Sequence, residues 1–288
     1  MNEVYFSMGS LVGKKNDYDT TQVARTAPYL LDEGFIDGVE FMFIKLYYGN
    51  GPEVAKMLLR EGCVFPTFHT DKDIGADLSD AGIALKNGDR DTAKKLRAGA
   101  LDKFRYNCET ACEAKSDRLV LHLWGGLNSD FAIDFNVAAL PELVGISKEY
   151  GKKIIVENVP SSDTDPLTNW KKITGCLGDV GLVFDTRFAT CHRNAKETLE
   201  DGAVFPYIEH VHISDYIGEK KDFRCLRPVY HPGEGICDFG YIFGRLGEMD
   251  YNGTFTLESR GMTGDGPEID VERVKKSLVF INNSICRG

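Results

Sequence analysis

The sequence predicts an α/β protein, a single (β/α)8 barrel, and three observations lead to this fold class. Short apolar runs alternate with longer helical patterns along the whole chain, which indicates parallel strands joined by right-handed crossovers. The alternation occurs eight times, and a length of 288 residues fits one closed barrel better than an open doubly wound sheet. No linker, low-complexity tract or short repeat interrupts the pattern, so we expect one domain over residues 1–288.

The eight predicted strands are short runs of strand-forming apolar residues. The first is "VYFSMG", the fifth is "KKIIVEN" and the last is "GTFTLES". Each is brief enough for a strand and is followed by a longer segment of helical period. The strands are expected at residues 4–9, 36–43, 63–70, 118–124, 152–158, 181–186, 208–215 and 253–259.

Helical patterns fill the gaps between these strands. Gly34 and Gly62 stand at the ends of the first two, where glycine commonly closes a helix. A polar stretch at 71–89 follows the third strand, and it fits either a lid over the catalytic face or a small helical excursion. The helices are expected at residues 21–34, 51–62, 90–115, 137–151, 166–176, 194–202, 238–248 and 270–283.

The net charge, the apolar segments and the cysteines indicate which partners and which location to expect. The net charge is −10, and an acidic surface repels phosphate backbones, so we expect no nucleic-acid partner. We find neither a signal peptide nor an apolar run of membrane-spanning length, so a cytoplasmic protein with no membrane partner is expected. No cysteines form a CxxC pair, and reduced thiols are expected. The cysteines are at positions 63, 108, 112, 176, 191, 225, 237 and 286.

Acidic residues and histidines stand at the carboxyl ends of the predicted strands, where barrels of this type carry their chemistry. The apolar runs "IIV", "GLVF" and "FTL" stop at Glu157, Asp185 and Glu258. If the barrel closes, these carboxylates converge in one pocket and repel each other unless a cation compensates their charge. The other polar strand-end residues include Glu40, His69, His122, Asn158, His212 and Asp215.

A divalent cation would provide that compensation. Glu157, Asp185, His212 and Glu258 offer a mixed oxygen and nitrogen ligand set, which suits Mn, Mg, Co or Zn. The set lacks the thiolates of a structural zinc site. For any single acid the alternative is a helix N-cap or a solvated loop residue. Four ligand-type residues at four consecutive strand ends favour the metal site.

Several motifs give the chain a resemblance to a known family. It resembles the xylose isomerase-like TIM-barrel superfamily, in which sugar isomerases and epimerases are grouped with endonuclease IV-type apurinic endonucleases. The resemblance covers the whole chain, and it is closest to the ketose 3-epimerase branch. Its anchors are "GVEF" (38–41), "IIVEN" (154–158), "GLVFDT" (181–186), "HVHISD" (210–215), "HPGEGICDF" (231–239) and "FTLES" (255–259).

The resemblance implies a ligand set and a mechanism. In the ketose 3-epimerase branch one metal is held by Glu, Asp, His and Glu, which match Glu157, Asp185, His212 and Glu258 here. It further implies that Glu157 and Glu258 are catalytic, one removing a proton beside a carbonyl and the other returning it on the far face. The metal would stabilise the enediolate that forms between the two steps.

The chain departs from the endonuclease branch at its third metal position. The family often has a histidine three residues after the strand-six aspartate; Phe188 stands there, and His192 is too far along to replace it. Arg227, Pro228 and Val229 stand where the endonucleases have an Asp-x-His. A third metal therefore has no ligands, which argues against phosphodiester cleavage.

Other residues are expected to contact the substrate. We interpret His69 and His122 as partners of substrate hydroxyls, and a second metal ion at these two histidines stays open. A tryptophan could stack on a sugar face, arginines could bind a phosphate or carboxylate, and the "HPGEG" histidine could reach the substrate. These further candidates, each with a structural alternative, are Trp124, Arg187, His231 and Arg260.

The predicted function is a divalent-metal-dependent isomerase or epimerase of a small sugar or polyol. A lyase or dehydratase, or a C-glycoside-eliminating subunit, begins with the same proton abstraction and is the main alternative. A metal-dependent nuclease and a non-catalytic sugar-binding barrel are further alternatives. Homo-oligomer formation is left open, since nothing in the sequence decides it.

Overall fold

Eight parallel strands close into a barrel in the computed structural model, which describes residues 2–175, 180–263 and 266–285. Each strand pairs with the next along the chain, and β1 closes the barrel on β8. This arrangement confirms the predicted (β/α)8 fold class. The strands are β1 Val4–Ser7, β2 Gly38–Met42, β3 Thr67–His69, β4 Arg118–Leu121, β5 Lys153–Glu157, β6 Gly181–Asp185, β7 Ile208–Ile213 and β8 Thr254–Leu257.

Ten α-helices lie between and after the strands in the described part of the chain. The eight predicted helices are present, although the fourth predicted helix begins at Ile133, earlier than expected. The predicted end of the 166–176 helix, with Cys176, lies outside the described residues. The helices are α1 Thr21–Asp32, α2 Gly51–Arg60, α3 Asp73–Lys86, α4 Arg90–Glu113, α5 Ile133–Glu149, α6 Pro166–Thr174, α7 Thr186–His192, α8 Ala195–Glu200, α9 Phe239–Glu248 and α10 Val271–Ile285.

Strand alternation decides which side chains face the inside of the barrel. Side chains of a strand point alternately to its two faces, so every second residue faces inward. On β4, β5 and β6 this alternation makes a small apolar cluster of Val120, Ile155 and Val183, separate from the main core between strands and helices. Two residues further along β5 and β6, the same inward face carries Glu157 and Asp185. The predicted acids therefore end apolar strands because they continue the inner face.

Most of the polar stretch at 71–89 forms helix α3, in agreement with the helical alternative. The helix buries Ile74 and Leu78 and packs against α4 and α5. A Cβ atom on Gly75 would lie 2.2 Å from the carbonyl oxygen of His122, so α3 lies directly against the segment after β4. Glycine is needed there because a larger residue would push the helix away.

Two of the sequence-based expectations concern thiols and membranes. The six cysteines among the described residues are free, while Cys176 and Cys286 lie outside those residues. Within residues 2–175, 180–263 and 266–285, no helix has both the length and the apolar character that crossing a bilayer requires.

Candidate active site

A cavity of about 650 Å³ opens at the carboxyl ends of the strands. Its lining includes five of the predicted site residues. These are His69, His122, Glu157, Arg187 and Glu258. The cavity volume falls in the usual range for small-molecule sites in proteins, roughly 300–1,000 Å³.

The four predicted metal ligands converge at the floor of this cavity. Glu157, Asp185, His212 and Glu258 each offer one ligand atom, and these atoms lie within 4.8 Å of one another. The His212 Nδ1 atom is 2.7 Å from Glu157 Oε1 and 3.5 Å from Glu258 Oε1. Three of the four side chains are almost completely removed from solvent, and Glu258 keeps 11% exposure. The predicted convergence is therefore present.

Asn158 and the start of α7 hold Asp185 in place. The Asn158 side chain accepts a hydrogen bond from the Asp185 backbone N–H at 2.6 Å and donates one to the Asp185 carbonyl at 3.1 Å. Asp185 also caps α7, because its Oδ1 atom accepts from the Phe188 backbone N–H at 2.7 Å. The N-cap alternative is thus correct for Asp185, but the cap uses only one carboxylate oxygen.

Arg187 is a buried ion-pair partner of the acids. Its Nη2 atom lies 3.4 Å from Asp185 Oδ2 and 3.7 Å from Glu258 Oε2. Its Nη1 atom donates to the Leu226 carbonyl at 3.0 Å, and the guanidinium lies over the Phe188 ring. Arg187 therefore contributes one fixed positive charge beside the acids.

The acids differ in their proton affinity. Burial opposes ionisation of Glu157, but the charges of His212 and His122 and their hydrogen bonds hold its pKa well below the usual value. Burial raises the pKa of Glu258 to about 7; His212 opposes this shift, and the carboxylates of Glu157 and Asp185 add to it. Burial also raises the pKa of Asp185, although Arg187 opposes the shift.

The donor set fits a divalent metal ion. Three carboxylates converge with one imidazole beside Arg187, and the charges of Glu157 and Asp185 add to the burial that raises the pKa of Glu258. Carboxylate oxygens with one histidine nitrogen suit Mn, Mg, Co or Zn.

His69 and His122 form a second cluster that shares Glu157. Their ligand atoms and one Glu157 oxygen lie within 4.8 Å of one another. His122 Nε2 is 2.5 Å and His69 Nε2 is 3.5 Å from Glu157 Oε2. Burial lowers the pKa of His122, whereas for His69 the hydrogen bond and charge of Glu157 overcome burial and raise the pKa to about 9. The cluster can contact a substrate or hold a second ion.

Three predicted substrate contacts are not among the residues that line the cavity. Trp124 is completely buried in the core and cannot stack on a ligand. His231 uses both ring nitrogens internally, with Ser277 Oγ at 2.7 Å and the Arg260 carbonyl at 2.8 Å. The Arg260 side chain donates to the Thr263 carbonyl at 3.2 Å. Their roles in the described structure are packing and loop support.

The "HPGEG" segment is held by Asp215, one of the polar residues at the strand ends. Its carboxylate accepts backbone N–H groups of Gly233, Gly235 and Cys237 at 2.8–2.9 Å. Asp238 then caps α9 by accepting from the Tyr241 backbone N–H at 3.0 Å. Asp215 therefore supports a loop.

Sequence reasoning missed three cationic side chains that line the cavity, Lys45, Lys72 and Arg227. Arg227 was considered only as a missing metal ligand, and Lys72 was part of the polar stretch. All three residues are exposed. Phe188 and Val229, which also replace metal ligands of the endonuclease branch, line the cavity as well. No pattern in one sequence could have marked Arg227 or Lys72, because both lie in loops.

The fold and the inward-facing acids define a class of protein, a TIM barrel with potential metal ligands at the carboxyl ends of its strands. A family model described as "Xylose isomerase-like TIM barrel" matches residues 36–283, and the chain belongs to this family. Two uncharacterized proteins of Methanocaldococcus jannaschii are similar in sequence. MJ1311 is 26% identical over 67% of this chain and 67% of its own length, and MJ1614 is 25% identical over 64% and 71%.

Solved structures share the fold at low identity. A D-tagatose 3-epimerase-like protein matches with a TM-score of 0.65 and 20% identity, over 98% of both chains. The IOLI protein with a bound zinc atom matches with a TM-score of 0.69 and 15% identity, over 99% of this chain and 98% of that one. A D-allulose 3-epimerase from Methylomonas sp. matches with a TM-score of 0.68 and 17% identity, over 98% of both.

Proposed function

We propose that this protein is a divalent-metal-dependent isomerase or epimerase of a small sugar or polyol. The observation that carries the proposal is the convergence of Glu157, Asp185, His212 and Glu258 within 4.8 Å at the cavity floor. The names of the similar structures support the substrate class, since they include a D-tagatose 3-epimerase-like protein and a D-allulose 3-epimerase. The zinc atom bound by the IOLI protein supports a metal.

The chain supplies two carboxylates suited to opposite proton-transfer roles. Glu157, with its low pKa, is ionised at neutral pH and can remove a proton from a substrate carbon beside a carbonyl. Glu258, the other carboxylate of the ligand set on the cavity lining, is placed to carry the proton that is returned. A bound divalent ion would polarise the carbonyl and stabilise negative charge that develops on the substrate oxygens.

For the second cluster, His69 and His122 beside Glu157, the proposed role is to orient the substrate. His69 and His122 present imidazole groups to the cavity beside Glu157 and can hydrogen-bond sugar hydroxyls. A second ion at the same residues is the alternative. The number of metal ions per chain distinguishes these two roles. If His69 and His122 only bind substrate, the chain holds one ion, at the four-residue site.

The test combines metal analysis with isotope exchange. Purified protein is analysed for Mn, Co, Zn and Mg, then incubated with free ketoses in deuterated water. We expect bound metal and deuterium in the product at the carbon that loses its proton. Glu157→Gln should abolish exchange while the circular dichroism spectrum stays unchanged.

The matched control is Glu209→Gln, because Glu209 lies on β7 and forms an ion pair with Lys153 away from the cavity. Its exchange rate should equal that of the wild type. Exchange that survives Glu157→Gln would contradict the assigned role. Cleavage of abasic DNA would favour a nuclease, and elimination products would favour the lyase alternative.

A further inference from the structure

Glu40 is a fully buried carboxylate inside the barrel, and the reaction described above does not use it. It lies on β2 between Val39 and Phe41 and has no exposed surface. It is absent from the cavity lining, and its carboxylate is directed at His212. A buried carboxylate is unfavourable unless other groups compensate its charge.

The closest partner of Glu40 is His212. Glu40 Oε2 lies 3.1 Å from His212 Nε2, while the other oxygen, Oε1, has no hydrogen-bond partner in the described structure. Nδ1, on the other side of the ring, faces Glu157 and Glu258. The Nε2 atom of the imidazole thus contacts Glu40, and its Nδ1 atom faces the predicted ligand set.

His210, the other histidine near Glu40, is held by threonines. Its Nδ1 atom is 2.5 Å from Thr254 Oγ1 and its Nε2 atom is 2.8 Å from Thr256 Oγ1. Its Nε2 atom is 3.6 Å from Glu40 Oε2, farther than His212 Nε2. Glu40 is therefore directed mainly at His212.

A neutral imidazole carries its proton on one nitrogen and a lone pair on the other. Glu40 can only accept while ionised, so it favours the proton on His212 Nε2 and leaves the Nδ1 lone pair directed at the ligand set. A carboxylate on the far nitrogen of a ligating histidine also fixes the ring orientation and increases its basicity.

We propose that Glu40 is a positioning residue that holds His212 in the Nδ1-ligating tautomer and so increases the affinity of the site for a divalent ion. The inference rests on the metal site of the proposed function, but it does not depend on any sugar substrate. Glu40 would be a fourth carboxylate of the site, beside Glu157, Asp185 and Glu258, and would contact neither the ion nor the substrate.

The rival interpretation makes Glu40 itself a ligand. Glu40, His210 and His212 have ligand atoms within 4.8 Å of one another, so they could hold an ion of their own. The threonine contacts of His210 argue against this, since both of its ring nitrogens already have partners. The two interpretations predict different metal stoichiometry after Glu40 is changed.

The first experiment titrates metal-free protein with Mn²⁺ by calorimetry, using the wild type, Glu40→Gln and Thr67→Val. Thr67 is the matched control, because it pairs with Glu40 in the sheet, is equally buried and has a hydroxyl without a partner among the described residues. We expect Glu40→Gln to weaken binding by about 10- to 100-fold at unchanged stoichiometry. Thr67→Val should bind as the wild type does.

Two results of this titration would overturn the proposal. If Glu40→Gln binds Mn²⁺ as tightly as the wild type does, Glu40 does not contribute to the affinity of the site. If Glu40→Gln binds one ion fewer per chain, Glu40 is itself a metal ligand. If the wild type binds no divalent ion, the metal assignment of the proposed function fails as well. If Glu40→Gln binds Mn²⁺ as the wild type does, only the role of Glu40 is contradicted and the metal site of the proposed function stands. The two failures are therefore distinguishable.

A second measurement needs no variant. Nitrogen-15 NMR of the zinc-loaded wild type reports which histidine nitrogens carry protons. We expect His212 to keep its proton on Nε2, with Nδ1 bound to zinc. A zinc-bound Nε2 or a proton on Nδ1 would overturn the proposal even if Glu40→Gln failed to fold.

Discussion

His192 shows how a buried histidine outside the candidate active site serves the fold. The residue is only 2% exposed, and its Nε2 atom accepts a hydrogen bond from the Ser161 backbone N–H at 3.1 Å. Burial, with the positive charge of Lys221, lowers the pKa of His192 to about 4. The imidazole must stay neutral to accept that bond, so His192 supports the loop after β5.

This shift predicts a pH dependence of stability. The pKa of His192 is about 4 when folded and 6.5 when unfolded, so between these values the unfolded chain binds more protons. The free energy of unfolding should fall by up to about 1.4 kcal/mol per pH unit as pH drops through this window. Above pH 6.5 the contribution is constant.

The measurement compares urea unfolding of the wild type and His192→Gln from pH 4 to pH 7. Glutamine removes the titrating group and keeps an acceptor for Ser161. The stability advantage of the wild type should shrink as the pH falls. A difference that stays constant over the whole range would contradict this assignment.

At the scale of elements, the contact between α3 and the segment after β4 depends on one glycine. A Cβ atom on Gly75 would approach the His122 carbonyl oxygen to 2.2 Å, and the oxygen belongs to backbone that cannot rotate away. Gly75→Ala should therefore destabilise the protein by about 1–3 kcal/mol, since α3 or the segment after β4 must move.

Gly99→Ala is the control, because Gly99 lies inside α4 in open space. Among the described residues, no atom beyond the backbone of its own helix lies within 4 Å of the position that a Cβ atom would take. This change should stabilise the helix by about 0.5–1 kcal/mol. Both substitutions restrict the unfolded chain equally, so their difference in urea unfolding isolates the packing effect. Equal stability of the two variants would show that α3 tolerates the added methyl group.

The strand ends were predictable from the sequence, but several loop and helix features were not. Glu157, Asp185 and Glu258 interrupt apolar runs, and strand alternation then places the first two on the inner face. Trp124 follows β4 outside any regular strand, so that alternation does not apply. Helix α7 was missed because all seven of its residues are buried, which leaves no apolar–polar period to detect.

At the scale of the whole molecule, metal binding at the proposed site should increase the global stability. The ligands come from β5, β6, β7 and the residue after β8, so an ion would link half of the barrel's strands. Unfolding separates these ligands, and a ligand that binds only the folded state stabilises it.

With free Mn²⁺ at about 100 times its dissociation constant, the free energy of unfolding should rise by about 2.7 kcal/mol. Urea unfolding in Mn²⁺ and in a chelator measures the difference. Asp185→Asn should show a much smaller gain, because the amide cannot supply a charged ligand. An equal gain in the variant would locate the stabilising ion elsewhere.

Arg187 has a consequence for how the protein would acquire its metal. Its guanidinium stays protonated at any physiological pH and lies between Asp185 and Glu258. An internal counterion of this kind limits the repulsion among the acids before any metal arrives. An ion at the proposed site would therefore enter a chain that is already folded, and its exchange for another metal would not require unfolding.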